Sequence, residues 1–507
     1  MSGGIRTEPR RNAAGLTPKQ VRLAVAGIFI ASFVATIDAT IVATSLQTIT
    51  GELGRPEQGP LIVLSYLLAT TASTPFWGRF GDVRGRKFTM QILVAMFSIS
   101  SLAVALSQSM TQLVGARLLQ GLAGGGVITM FRSLIGDIAS PRERGRYQWM
   151  ASGVWIAATA MGPLVGGYFV DHSSWRWSFA INIPLGAIAM VVLHYGVPPS
   201  RRNADRSLDI GGTLLLGASV TSLSAAMLTW GGEAGDWGNE VIVAFVVLTV
   251  VCFGAFVLWE RREDEPLVPS RHLRNRNVVT TNLITFVSAV FTYQVVVFAP
   301  IFVQVVKLDG ATRSGLVIMP LIAGNFVSSF VSGRIITRTG RYRELVILGS
   351  ALSCLGTFLL SGIDAASGRA TLAIAIGVMG FGNGMVSPTM FLVNQNSVPQ
   401  RDLGTASSIN TLFRSIGNVI GVGLVGAVFA NTLTSKLRAA GLAELDPERL
   451  RARPTDIAAL PPDQRRVVIN AFDSGLSAGF RMVVIFGIIG LALAFALRQE
   501  PLRESMD

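Results

Sequence analysis

The sequence predicts an all-α integral membrane protein with fourteen transmembrane helices. Three observations carry that prediction. Half of the 507 residues are hydrophobic and only 14% are charged, where a soluble domain carries ~25% charged residues. The apolar residues fall into long runs, many of them able to cross a ~30 Å hydrocarbon layer at ~1.5 Å per residue. The charges collect in the short segments between those runs, as in Gly78–Lys87, which holds Arg79, Arg84, Arg86 and Lys87.

In chain order the spans start near Val21, Leu61, Phe88, Thr111, Tyr147, Ser178, Leu208, Glu240, Val278, Ser314, Glu344, Ala370, Leu403 and Ser474. A polar, basic tail (1–20) precedes the first span, which is too long for the apolar core of a signal peptide. The second span, Leu61–Trp77, and the third, Phe88–Ser107, are joined by the ten-residue cationic hairpin. Four cations in so short a loop place it on the cytoplasmic side. Alternation from there puts both termini in the cytoplasm, and it puts the longest linker, 431–473, outside. Trp230, Trp237 and Trp259 fall near span ends, where an interfacial aromatic belt stands.

Composition also excludes other classes. The net charge of +13 would suit nucleic acid, but the cations sit in loops between apolar spans, so no nucleic-acid partner is expected. Cys252 and Cys354 both lie in apolar runs and imply neither a disulfide framework nor a metal site. No Walker loop, nucleophile constellation or metal set is present, so an enzyme, a bound cofactor and ATP-driven transport are not expected.

Asp38 is the one carboxylate read well inside a span. Unpaired charge in hydrocarbon is costly, so an intramembrane acid is a functional candidate by default. Burial disfavours a carboxylate's charge and a nearby cation favours it. An aspartate alternating between such settings can take up and release a proton; the plainer alternative is an interhelical hydrogen bond. Arg117, six residues into a span entering from outside, is the natural counter-ion, because a buried guanidinium needs a partner.

A faint internal repeat runs at an offset of 255 residues. Gly333-Arg334 and Gly340-Arg341 mirror Gly78-Arg79 and Gly85-Arg86, with Thr337 standing where the first copy has Asp82. Pro399–Gly404 echoes Pro141–Gly145. The shift of eight spans fits two six-helix halves separated by two inserted helices. The boundaries expected are 1–20 for the tail, 21–200 for the first half, 201–277 for the inserted pair and linker, 278–498 for the second half, and 499–507 for a second tail. Parallel halves of this kind place a substrate site near the midplane between them.

Five segments together resemble the fourteen-helix drug:proton antiporter branch of the major facilitator superfamily. They are the hairpin with Gly78, Asp82, Gly85 and Arg86; Ile37-Asp38-Ala39-Thr40-Ile41-Val42 in span one; and Arg117-Leu-Leu-Gln120-Gly121 in span four. The others are Gly162-Pro163-Leu-Val-Gly166-Gly167 in span five and Trp175–Gly186 at span six. The resemblance implies a proton-coupled secondary exporter of lipophilic small molecules, monomeric and multi-pass in the cell membrane, working by alternating access. It implies proton coupling at Asp38 and Arg117. It implies a conformational lock in which Asp82 meets the start of span thirteen and Arg86 pairs with Asp137. Val83 departs from the family, which often carries a base there. Gly162, Pro163, Gly166 and Gly167 would serve antiport, although ordinary close packing also uses such small residues. Gln120 and Arg414 are candidates for the cavity lining. Export of an endogenous lipid or secondary metabolite, nutrient uptake, and a non-transporting membrane sensor are the alternatives.

Overall fold

The computed structural model describes residues 17–502 apart from 54–58, 140, 199–208, 231–237, 264–265, 269–271, 273, 309–315, 443, 446–449, 451–456 and 458. The described residues contain 14 helices long and apolar enough to cross a membrane. They form two compact units. The first is Met1–Thr213 with Val398–Ser408 and Pro501–Asp507; the second is Leu214–Ser397 with Ile409–Glu500.

The first unit is built from α1 (Pro18–Glu52), α2 (Gly59–Arg84), α3 (Arg86–Ala105), α4 (Met110–Ile138), α5 (Pro141–His172), α6 (Arg176–Ala180) and α7 (Asn182–Gly196). Thr17 caps α1 in a capping box with Gln20, and Ser109 caps α4 through the Gln112 N–H. Gly85 alone separates α2 from α3. Its φ of +97° lets the chain reverse there in one residue. Helix α4 packs along α2 and α3, while α1 packs on α5 and α7. Span six is broken at Ile181. Pro184 has no N–H to offer the carbonyl of Ala180, so the helix restarts at Asn182.

The second unit holds α8 (Ile210–Trp230, its first turn belonging to the first unit), α9 (Gly238–Glu260), α10 (Arg276–Ile301), α11 (Met319–Thr339), α12 (Arg343–Ser361), α13 (Arg369–Asn396), α14 (Leu403–Ala439) and α15 (Pro462–Ala496). The start of α14, through Ser408, belongs to the first unit. Helix α10 contains Pro300 and runs into a π-helical turn at Phe302–Val306. Helices α11 and α12 both pack on α13. Spans ten, eleven and twelve thus repeat the arrangement of spans two, three and four, at the shift of eight seen in the sequence. Helix α9 has the highest mean hydropathy, 3.0, and only 6% of its span is buried by protein. Its exposed Val243, Val247, Val251, Phe253 and Leu258 suit lipid contact.

The linker read as 431–473 is corrected at both ends: α14 continues to Ala439 and α15 begins at Pro462, twelve residues before Ser474. Leu433, Leu437, Val468, Ala471 and Phe472 are buried and pack against Phe429, Leu450 and Ile457. Lys436, Arg438, Arg465 and Arg466 dilute the average hydropathy and hide that apolar spacing. The longer α15 also brings Asp473 inside a helix.

Candidate functional site

Asp38 is fully buried in α1, and its carboxylate is held by side chains from two other helices. Arg117 Nη1 of α4 donates to Oδ2 at 2.6 Å. Gln120 Nε2, one turn on, donates to Oδ1 at 2.9 Å. Asn182 Nδ2, at the break that opens α7, donates to Oδ1 at 2.8 Å. A carboxylate with three donors and no donor of its own is solvated for its charged form. Arg117 is 1% exposed. It also donates to Gln120 Oε1 at 2.7 Å, reaches the Ile62 carbonyl, and lies over the Tyr66 ring with Cζ 4.3 Å from the centroid. The charge pair expected from sequence is therefore a closed contact. It lies within the first unit.

Two members were not assigned a role from sequence. Ser101 Oγ of α3 is 2.6 Å from Gln120 Nε2 and 3.2 Å from Asn182 Nδ2. The same two amides that hold Asp38 thus share a second acceptor. Asn182 stood in a quoted segment with no function attached. Ser101 carries no sequence signal, since Ser98 and Ser100 in the same span look alike.

A second cluster joins the α2–α3 hairpin to the first turn of α14. Asp82 Oδ1 accepts the Gly404 N–H at 3.0 Å; Oδ2 accepts the Thr405 N–H at 2.8 Å and the Thr405 hydroxyl at 3.0 Å. This caps a 37-residue helix with a buried carboxylate, where the free N–H groups and the positive dipole end favour an anion. Arg86 Nη2 donates to Asp82 Oδ1 at 2.8 Å and to the Gln400 carbonyl at 3.1 Å, and Nη1 pairs with Asp137. Gln400 Nε2 closes the ring on Asp137 at 3.2 Å. Gly404 is obligatory at this approach: a Cβ there would stand 2.3 Å from Asp82 Oδ1 and 2.6 Å from the Gly78 carbonyl. A Cβ on Gly78 would meet Ser408 at 2.5 Å.

The small-residue motif of α5 faces the Asp38 helix at one point. A Cβ on Gly162 would lie 2.0 Å from Thr40 Oγ1, which donates across to the Ala158 carbonyl at 3.2 Å. Gly166 is buried, whereas Gly167 has open space around its Cβ position. The side chain of Pro163 lies outside the described residues. Arg414 belongs to the second unit.

At the C-terminal end of α1, Glu52 pairs with Arg176 Nη1 at 2.5 Å and accepts Trp175 Nε1 at 2.6 Å. The Arg176 hydrogen bond holds this carboxyl below its usual range. In the second unit, Tyr342 Oη donates to the Arg498 carbonyl. Burial pushes its hydroxyl up to about 12. No group of three or more His, Cys, Asp or Glu side chains among the described residues could hold a metal ion.

A polytopic helical protein with a buried intramembrane ion pair and a carboxylate-capped helix start has the architecture of a secondary transporter. The profile of the Major Facilitator Superfamily matches residues 28–422. The chain belongs to that superfamily and is a multi-pass membrane transporter of it. It is 32% identical over 505 residues to "Efflux pump FUS6" of Gibberella fujikuroi, covering 95% of this chain and 89% of that one. It is 30% identical over 423 residues to "Multidrug resistance protein 3" of Bacillus subtilis, covering 83% of this chain and 82% of the relative. Among solved structures it resembles the proton:xylose symporter XylE, with a TM-score of 0.62, 14% identity and coverage of 96% and 98%. That last likeness speaks for the fold alone.

Proposed function

We propose that this transporter is a proton-coupled exporter of lipophilic small molecules, an antiporter in the cell membrane with both termini cytoplasmic. The observation that carries the reading is the buried network of Asp38, Arg117, Gln120, Asn182 and Ser101. The names of the two relatives, an efflux pump and a multidrug resistance protein, support export as the direction.

In the proposed cycle, a proton arriving at Asp38 removes the negative charge that Arg117 faces. Gln120 and Asn182 then turn their amides to Ser101, the acceptor they already share. Arg117 keeps Gln120 Oε1, the Ile62 carbonyl and the Tyr66 ring, and it becomes free to rearrange. A buried guanidinium without its counter-ion costs about 3–5 kcal/mol, enough to favour a different helix arrangement. The Asp82 cap on α14 is the contact that holds one arrangement, and Arg86 with Asp137 orients Asp82. Gly162 keeps α5 close to Thr40, two residues from Asp38, and limits proton leak along α1.

The test begins with susceptibility profiling of cells with and without the protein. A compound to which expression confers resistance is then loaded into proteoliposomes, and its flux is followed under an imposed pH gradient. Flux that tracks the size and sign of the gradient is expected. Flux indifferent to the gradient refutes proton coupling.

A further inference from the structure

Arg414 has no hydrogen bond, ion pair or ring contact among the described residues. That is costly for a cation in a membrane span. The charged cluster at Gly404 marks the polar end of α14, and Arg414 stands ten residues further on, about 15 Å along the helix. That distance is near the middle of a ~30 Å hydrocarbon layer, so the side chain cannot snorkel to a headgroup.

The face of α14 that carries Arg414 is polar. Ser407, Asn410, Thr411, Arg414 and Asn418 follow at spacings of three and four, which aligns them along one side. The other side is apolar: Leu412 packs with Leu216 and Val220 of α8 and Phe256 of α9, and Ile416 joins that cluster. Arg414 lies two residues from each, a turn of ~200°, and so faces away from the inserted helices. Lower on the stripe the polar groups are satisfied. Asn410 Nδ2 donates to Asn282 Oδ1 at 3.0 Å and to Thr285 Oγ1 at 2.9 Å. Asn418, one turn above Arg414, is half-buried and also lacks a partner among the described residues. Neither side chain has its polar atoms sealed in protein. Two adjacent, accessible and unpartnered groups thus sit deep in a span. One is a cation with five donors; the other is an amide that both donates and accepts.

We infer that Arg414 and Asn418 recognise an acidic group on the transported molecule, so that the favoured substrate is a lipophilic organic anion with a carboxylate. The inference rests on the transport reading above and narrows its substrate class. A guanidinium binds a carboxylate through two parallel hydrogen bonds, and Asn418 adds a donor one turn away.

The test uses the full protein in nanodiscs and two fluorescent probes, dansylaminoundecanoic acid and its methyl ester, with empty nanodiscs as the blank. The acid is expected to bind at least about tenfold tighter than the ester, the difference a single charged contact makes. Arg414→Gln should erase that preference; Arg414→Lys should keep part of it, since charge survives without the fork. Asn418→Leu should weaken the acid alone by several-fold. Should Arg414→Gln fail to fold, the wild-type comparison and Asn418→Leu still decide. Equal affinity for the two probes, no binding of the acid, or a preference that survives Arg414→Gln overturns the inference. Binding is read at equilibrium without a pH gradient. A failure of proton coupling would therefore show in flux and leave this result standing.

Discussion

Replacing Asp82 with asparagine should shift the transporter's conformational equilibrium by a measurable factor. The carboxylate accepts three hydrogen bonds from Gly404 and Thr405 and two from Arg86. An amide keeps one acceptor oxygen and turns an NH2 group towards a donor. At least one charged hydrogen bond is lost, worth about 1.5–3 kcal/mol. The anion at the helix start is lost as well, worth about 0.5–2 kcal/mol. Since ~1.4 kcal/mol is tenfold, the arrangement that contains the contact should lose roughly 30-fold or more in population. Asp82→Glu keeps the charge but misplaces it, and should shift the balance less. Gly404→Ala should act like Asp82→Asn, because its Cβ would enter the space of the carboxylate. Spin labels at the exposed positions Arg84 and Pro399 would report the separation of the hairpin and the start of α14. An unchanged distance distribution in both Asp82→Asn and Gly404→Ala would refute the capping argument and leave the hairpin with topology alone.

Other expectations are briefer. Cysteines placed at Arg84 and at Ala439, in a background lacking Cys252 and Cys354, should react with an impermeant thiol reagent from inside and outside respectively; the reverse pattern would overturn the orientation. Gly162→Ala should force α5 from Thr40, weaken coupling and raise passive proton flux in dye-loaded liposomes, and an unchanged leak would remove any sealing role. The Glu52 carboxyl is held below its usual value of 4.5, first by Arg176, so its pairing stabilises the fold above that pH and is lost as pH falls through the lowered value. Glu52→Gln should therefore lower Tm at pH 7 and converge with the wild type in strong acid; a constant gap would show that the pair does not titrate.

Much of this architecture was legible in the chain because the bilayer restricts the solutions. Apolar run length counted the spans, but the segment 78–87, read as a ten-residue loop, is helical on both sides of Gly85, because its charged residues lower the hydropathy without breaking the helices. Asp38 and Arg117 stood out because charge inside a span is rare. The amphipathic ends of the 431–473 linker were not legible. Lys436 and Arg465 mask Leu437 and Val468 when hydropathy is averaged, and only the buried face reveals the helix. Ser101 was silent for a different reason: its role depends on which of three neighbouring serines points at Gln120, and that is decided by packing. Asn182 was visible as a residue but not as a ligand of Asp38. Its position follows from the break that Pro184 imposes four residues after Ala180, at a site where periodicity reads one continuous span.

In the proposed function, Asp38 carries the proton that drives export. That role is tested most directly by transport under an imposed pH gradient in everted vesicles containing either the wild type or Asp38→Asn. A companion Asp38→Asn, Arg117→Gln variant spares the fold an orphaned guanidinium. Both variants should insert and fold, and both should lose gradient-driven efflux while the wild type retains it. Undiminished gradient-driven efflux in Asp38→Asn would contradict the account.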